Sequence, residues 1–482
     1  MPGHCPGPAN WRWLLEQPQL VGLIEQAGYH DQLDALRKLD KLLKSGVGEG
    51  PSDDTDIASL TLLQNIPLPL DSLSHFNHLF PQAFTTGTLY RNQLAGNAAW
   101  LPLAVRDFFA GTRGNGPQRL WVIPVSEHAQ QEGFLPSQDT VWEDNKLISA
   151  FDRALGLPDV GLIALPDLER LQVPADLPDI PRLRLPNQVP AFLPCSSEYD
   201  DMHRERRYSE EIPKAPAPRD FVNTLNALAG LIARRRPDMH LLLGMPFDPD
   251  GETESPRISP DDLNRLGNYR ESARGHYLRR VQLTFPYLRS ARHALKSPAG
   301  VLAAEMAKRS RQGSWLSVAG RPLGDEARPY PPINRNLATE LRDTHAIGVF
   351  IEERGQLKLD DERLAAGVFN DSAEHARSGE IARFLGWLQR ELRRLGEQLV
   401  FDVDPRDPRP RILLESFFGQ LHARGALRGT MPGDAFTIRQ MAPAGSTLLF
   451  EIELAPAFPI DRIRLSISRD GHDQGWQVGG LA

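Results

Sequence analysis

The chain has 482 residues, 40% of them hydrophobic and 24% charged, which implies about two to four domains built around real cores and excludes a disordered chain. Its 55 Lys+Arg against 62 Asp+Glu leave a net charge of −7, which excludes a protein that coats nucleic acid through a net basic surface. No apolar run approaches the roughly 20 residues that cross a bilayer. Residues 1–10 lack the basic-then-apolar secretory pattern, and Cys5 and Cys195 are too few for a disulfide framework or a multi-thiolate metal site. The composition therefore predicts a cytoplasmic protein without membrane insertion.

Residues 1–44 read as a separable helical segment, because Leu33, Leu36, Leu39, Leu42 and Leu43 recur at helical spacing among Lys, Arg and Asp. Residues 45–56 (SGVGEGPSDDTD) have linker composition, with nothing to bury. Residues 57–345 alternate strand-like and helix-like stretches and predict an α/β core. Within it, residues 101–109 are a helix carrying aromatics. Residues 120–125 (LWVIPV) and 160–165 (VGLIAL) are continuous apolar strands, the pattern of a parallel sheet covered on both faces. The proline-dense residues 171–220 form an irregular insertion. A helix over 221–235, a strand over 239–243, a polar loop over 248–262, a strand over 281–285 and a helix over 300–309 continue the alternation.

Residues 375–468 predict a small α+β domain. Ile381, Phe384, Leu385, Leu388, Leu392, Leu395 and Leu399 trace one face of a helix, and residues 411–423 supply a second. Phe450, Ile452 and Leu454 alternate with Glu451 and Glu453, while Ile463, Leu465 and Ile467 alternate with Arg464 and Ser466. Two strands make a poor sheet alone, and their open edges must be covered or used. The tail, residues 469–482, is too poor in apolar residues to fold alone. Its anchors are Trp476 and Val478, two residues apart and so on one face of a strand.

Motifs for chemistry are absent. No Gly-Lys pair occurs, so there is no P-loop, and HExxH, GxSxG and CxxC are missing. Gly46, Gly48 and Gly50 follow a helix and lead into acids. His75 and His78 come with no cysteine or placed carboxylate, and Asp53, Asp54 and Asp56 fail the calcium-loop spacing. The basic run 204–207 is diluted by Glu205, and Arg234, Arg235 and Arg236 close a helix, where positive charge suits the dipole. The reading is a non-enzyme with no catalytic, cofactor-binding or metal-binding residues.

Five blocks, in order, resemble the sheath protein family of contractile phage tails and contractile injection systems. The clearest is residues 281–323, with Phe285-Pro286-Tyr287 ending a strand, Ser297-Pro298-Ala299-Gly300 opening a helix, and Gly313-Ser314-Trp315 after it. The others are residues 333–355 (Asn334, Leu337, Leu341, Ile347, Gly355), residues 381–467 with the turn 425–429 and the run 455–460, residues 101–125, and residues 160–166. The family's extended N-terminal arm, built around a Thr-Pro-Gly-Val-Tyr-like turn, is replaced here by the helical residues 1–44.

The resemblance implies a subtilisin-like α/β sheath core followed by the small α+β domain. It also implies a structural role as a subunit that polymerises around an inner tube and contracts to drive the tube through a target envelope. The implied partners are other copies of the chain, the inner tube, and baseplate and terminator or cap proteins, assembled into a phage tail-like particle or virion, with no cofactor and no nucleic acid. Strands completed by neighbours make Phe450, Ile452, Leu454, Ile463, Leu465, Ile467, Trp476 and Val478 the subunit-interface candidates. The alternatives are a specialised sheath paralogue at the baseplate or terminal end and, in another class, an α/β hydrolytic enzyme.

Overall fold

The computed structural model describes residues 1–5, 9–44, 63–64, 66–84, 99–116, 118–126, 129, 131–135, 149–173, 221–247, 258–289, 295–324, 327–366, 378–397, 408–441, 448–457, 463–469 and 477–479. Its centre is a five-stranded sheet. The order is Gln356–Leu359, Gly348–Glu353, Val281–Phe285, His240–Gly244, Leu162–Ala164. The last four strands run parallel, and Gln356–Leu359 closes one edge as the antiparallel half of a hairpin. Every residue of His240–Gly244 and of Val281–Phe285 is buried, as continuous apolar strands require when both faces are covered.

Two apolar clusters lie against the sheet. One gathers the helix Phe221–Arg235, through Leu225, Leu228 and Ile232, with Leu241, Leu243, Leu283 and Val349. The other contains the crossing of helix Leu101–Gly111 with helix Ala299–Gln312, where Ala104, Ala303 and Ala304 let the two backbones approach. Both clusters end at strand residues of opposite parity, the period-two consequence of a pleated strand.

Several expectations need correction. Residues 1–44 are not helical from the start: Pro2–His4 is a buried strand, parallel to Leu120–Val125, with Pro2 opposite Ile123. Glycine and prolines hide it, because a three-residue strand has no alternation to read. Helices Trp11–Leu15, Pro18–Gln26 and His30–Lys44 follow, but the segment does not stand apart. Trp11, Leu14, Leu20, Ile24, Leu33 and Leu36 share one buried cluster with Leu68, Leu70, Phe76, Leu101 and Leu302. Nor does Leu120–Val125 join the parallel sheet. It is the centre of a separate three-stranded sheet, between Pro2–His4 and Leu68–Leu70. The core also continues past residue 345, since Gly348–Glu353 pairs with Val281–Phe285. The polar stretch expected as a loop to residue 262 contains the start of helix Pro260–Glu271, whose inner side is Leu266, Tyr269 and Arg270. The linker 45–56 and most of the insertion 171–220 lie outside the described residues.

Candidate assembly surface

The C-terminal module is built on helix Gly379–Glu397. Its apolar stripe, Ile381, Phe384, Leu385, Leu388 and Leu392, packs with Leu414, Phe418 and Leu421 of helix Arg409–Ala423 and with Phe450, Ile452 and Leu454. Pro408 precedes the second helix and Pro410 lies in its first turn, where a missing N–H costs nothing. The sheet has four strands, in the order Phe436–Gln440, Leu448–Leu454, Ile463–Arg469, Gln477–Gly479, all antiparallel.

Among the interface candidates, Phe450, Ile452 and Leu454 point inward and are at most 1% exposed. Ile467, Leu465 and Ile463 stand directly opposite them in register, and Val478 stands opposite Ile467. Trp476 lies outside the described residues. The pair of strands read from sequence is therefore flanked on both sides by strands of the same chain. Five and three residues long, the flanking strands carry too little pattern to be seen beforehand. One edge of the sheet is Phe436–Gln440. Arg439 and Gln440 on it are exposed, and it is bracketed by Met431 and Met441, 65% and 43% exposed.

Helix Gly379–Glu397 has a second, polar stripe of Arg383, Gly386 and Arg390 that inserts into the α/β core. Arg383 donates to the Glu362 carboxylate, which also accepts from Ser317 Oγ at 2.7 Å and the Val318 amide at 2.6 Å. Arg390 donates to the Asp238 carbonyl oxygen at 2.6 Å. Between them Gly386 sits against that same carbonyl oxygen, where a Cβ would clash. An aromatic series, Trp315, Phe384, Trp387, Phe417, Phe418 and Phe436, with centroids 5.2 to 6.2 Å apart, runs from the core to the edge strand. Sequence reading missed this attachment. Its signal was present in the Arg-Gly-Arg spacing of three and four on an otherwise apolar helix.

The place where α/β proteins usually put chemistry, beyond the carboxyl ends of the parallel strands, holds two buried acids. Asp167 accepts from the amides of His4, Trp100 and Leu101 at 2.9, 2.6 and 3.0 Å. It thereby anchors the N-terminal strand at the positive end of helix Leu101–Gly111. Burial pushes Asp167 above the usual carboxylate range, opposed by His4 and the three amides. Glu169 accepts from the Gly244 amide at 2.8 Å, and burial pushes it up to about 7 against the pull of Ser297 and that amide. Asp167 ties strand Pro2–His4 to the start of helix Leu101–Gly111, and Glu169 ties helix Pro166–Arg170 to strand His240–Gly244. An open groove of about 810 Å³ beside helix Leu101–Gly111 is lined by Asp71, Ser72, Arg106, Phe109 and Arg113, and its one carboxylate is paired with Arg119 at 3.0 Å. His75 and His78 pack on the Trp13 ring, at 5.6 and 5.2 Å. Among the described residues no three His, Cys, Asp or Glu side chains cluster as metal ligands, and no helix is long and apolar enough to cross a membrane.

No protein-family model matches the chain, and no curated protein matches it in sequence. A chain of the anti-feeding prophage baseplate in its contracted state aligns with 85% of this chain and 90% of its own length, at 18% identity and a TM-score of 0.52. The fold is that of this baseplate chain. The sheath complex of an extracellular contractile injection system, PVC, in its contracted state aligns with 82% of this chain and 84% of its own, at 13% identity and a TM-score of 0.49. The contracted helical sheath of the anti-feeding prophage covers 83% and 86%, at 14% identity and a TM-score of 0.49.

Proposed function

We propose that the chain is a structural subunit of a contractile sheath, one that polymerises around an inner tube and rearranges as a near-rigid body when the sheath contracts. The observation that carries this reading is the extent of the shared fold with a chain of a contracted particle. So large a share leaves out neither the core nor the C-terminal module. The α/β core is read as the subtilisin-like domain of a sheath protein. The edge strand Phe436–Gln440, flanked by the exposed Met431 and Met441, is the strand-accepting side of the module. The inner tube and cap or terminator proteins are the further partners.

Full-length protein, purified and concentrated, tests the reading by sedimentation and negative-stain electron microscopy. Hollow helical cylinders are expected. Protein that stays monodisperse at every concentration and salt tried overturns it. A second reading is favoured by the origin of the matching chain, a baseplate: a sheath-like subunit at the baseplate end. That subunit would form short rings in place of extended cylinders.

A further inference from the structure

The run of three arginines that closes helix Phe221–Arg235 is divided among three environments. Arg236 is buried and donates to the Asp238 carboxylate and to the carbonyl oxygens of Leu155, Leu157, Pro158 and Val160. Arg235 pairs with Asp152. Arg234 has no carboxylate partner among the described residues and lies over the Tyr277 ring, 5.9 Å from its centroid.

Gly230, one turn earlier, explains where the Arg234 side chain goes. Helical side chains lean toward the N-terminus and cover the preceding turn. A Cβ on residue 230 would stand 3.2 Å from Arg234 Nη1 and 3.6 Å from both Nη2 and Tyr277 Cδ2. With glycine there, the guanidinium folds back over the helix. It lines an open surface recess of about 350 Å³ with Asn223, Asn226, Ala227 and Arg274.

Asn223, Asn226, Ala227, Gly230 and Arg234 share one helix face by spacing, and Arg274 faces it from the turn before the 3-10 helix Gly275–Arg280. Both guanidinium groups bear electrostatically on Tyr269, whose buried hydroxyl has no hydrogen-bond partner among the described residues. The lining therefore offers two positive charges and amide groups, with no acid among its residues. Two cations sharing a wall repel, and an anion between them turns the repulsion into two charge-assisted hydrogen bonds. Guanidinium forks match a planar carboxylate in particular.

We infer that this recess is an anion site that receives a carboxylate side chain from a neighbouring copy of the chain. The inference rests on the sheath reading, in which the nearest neighbours are copies. The chain itself is the acidic partner available, with 62 Asp+Glu against 55 Lys+Arg.

The test compares the full chain with the Arg234→Gln/Arg274→Gln and Arg234→Lys/Arg274→Lys double variants. Each is checked first for an unchanged melting temperature, since both arginines are exposed. One measurement is anisotropy of labelled hexaglutamate, with hexaglutamine and inorganic phosphate as competitors. The other is the protein concentration at which polymer first sediments. The Gln pair is expected to weaken hexaglutamate binding about tenfold and to raise the polymerisation threshold by a similar factor. The Lys pair falls between, and added salt narrows every difference. Hexaglutamate binding unaffected by the Gln pair, or displaced by phosphate more readily than by unlabelled hexaglutamate, overturns the carboxylate site. A wild-type polymer with the same threshold as the Gln variant overturns the intersubunit role and leaves the sheath reading standing. A wild-type chain that forms no polymer overturns the sheath reading itself and, with it, the assignment of the partner as a copy.

Discussion

Arg390 reaches out of the C-terminal module and donates through Nη1 to the Asp238 carbonyl oxygen at 2.6 Å, while the same nitrogen lies 3.4 Å from the Asp238 carboxylate. That carboxylate is fully buried and is held from its other side by Arg236 Nε and Nη2, each at 2.9 Å. Burial works against the charge on Asp238, but Arg236, Arg390 and Arg393 outweigh it and keep its carboxyl below the usual range. The module is thus attached to the core by an ion cluster that only a folded pair of domains can assemble.

Asp238→Ala should therefore cost about 3–5 kcal/mol, because it strands two arginines without their anion. Arg390→Met should cost less, since Asp238 keeps Arg236. Chemical denaturation of the two variants checks the order. Equal losses would mean that the Asp238–Arg236 pairing adds nothing beyond the contact with Arg390. For the wild type, this contribution is present at neutral pH and is lost as pH falls through the lowered Asp238 pKa.

Glu169 acts with the opposite sign. Its folded pKa of about 7 lies above the ordinary value of 4.5, so the folded state prefers the protonated acid. The stabilisation is fully present below the unfolded value and is lost as pH rises through the folded one. Across that window the wild type should lose roughly 3 kcal/mol relative to Glu169→Gln. Melting curves of both proteins at pH 4.5 and pH 8 measure the difference. His240, which burial and the nearby Arg383 push down to about 3, titrates in both proteins and cancels.

The two faces of strand Leu448–Leu454 should respond differently. Phe450 is 1% exposed inside the module, and Phe450→Ala should cost about 3–5 kcal/mol by leaving a cavity. Glu451, half-buried on the other face, should tolerate Glu451→Gln within about 0.5 kcal/mol. Thermal unfolding of both variants reads the contrast. A similar cost for both would mean that the outer face is covered as well.

The tail is paired within its own chain, through Ser466 with Gly479, Ile467 with Val478 and Ser468 with Gln477, and it lies beside helix Gly379–Glu397. Ending the chain at Arg469 should lower the melting temperature and reduce hydrogen-exchange protection around Ser466–Ser468, the stretch that loses its outer partner strand. Unchanged protection in the truncated protein would show that this pairing adds nothing to the isolated subunit.

Local pattern was enough for the elements that bury a regular stripe. Helix Phe221–Arg235 and strands Val281–Phe285 and Leu448–Leu454 lie where periodicity places them, and helix Gly379–Glu397 begins within two residues of its first apolar position. A helix or strand of that kind repeats its signal at every turn or every second residue. Partnership carries no such repeat. Leu120–Val125 is legibly buried, yet nothing in LWVIPV says that it pairs with Pro2–His4 and Leu68–Leu70. Strands of three residues have no period, and helix Pro260–Glu271 buries too few residues to show one. The Asp238–Arg390 contact spans 152 residues of chain. A buried ion pair shows in sequence only as two charges, while its stability depends on the fold closing around both. Strands Leu448–Leu454 and Ile463–Arg469 were legible because apolar and polar residues alternate along them, and the attachment holding their module to the core was not.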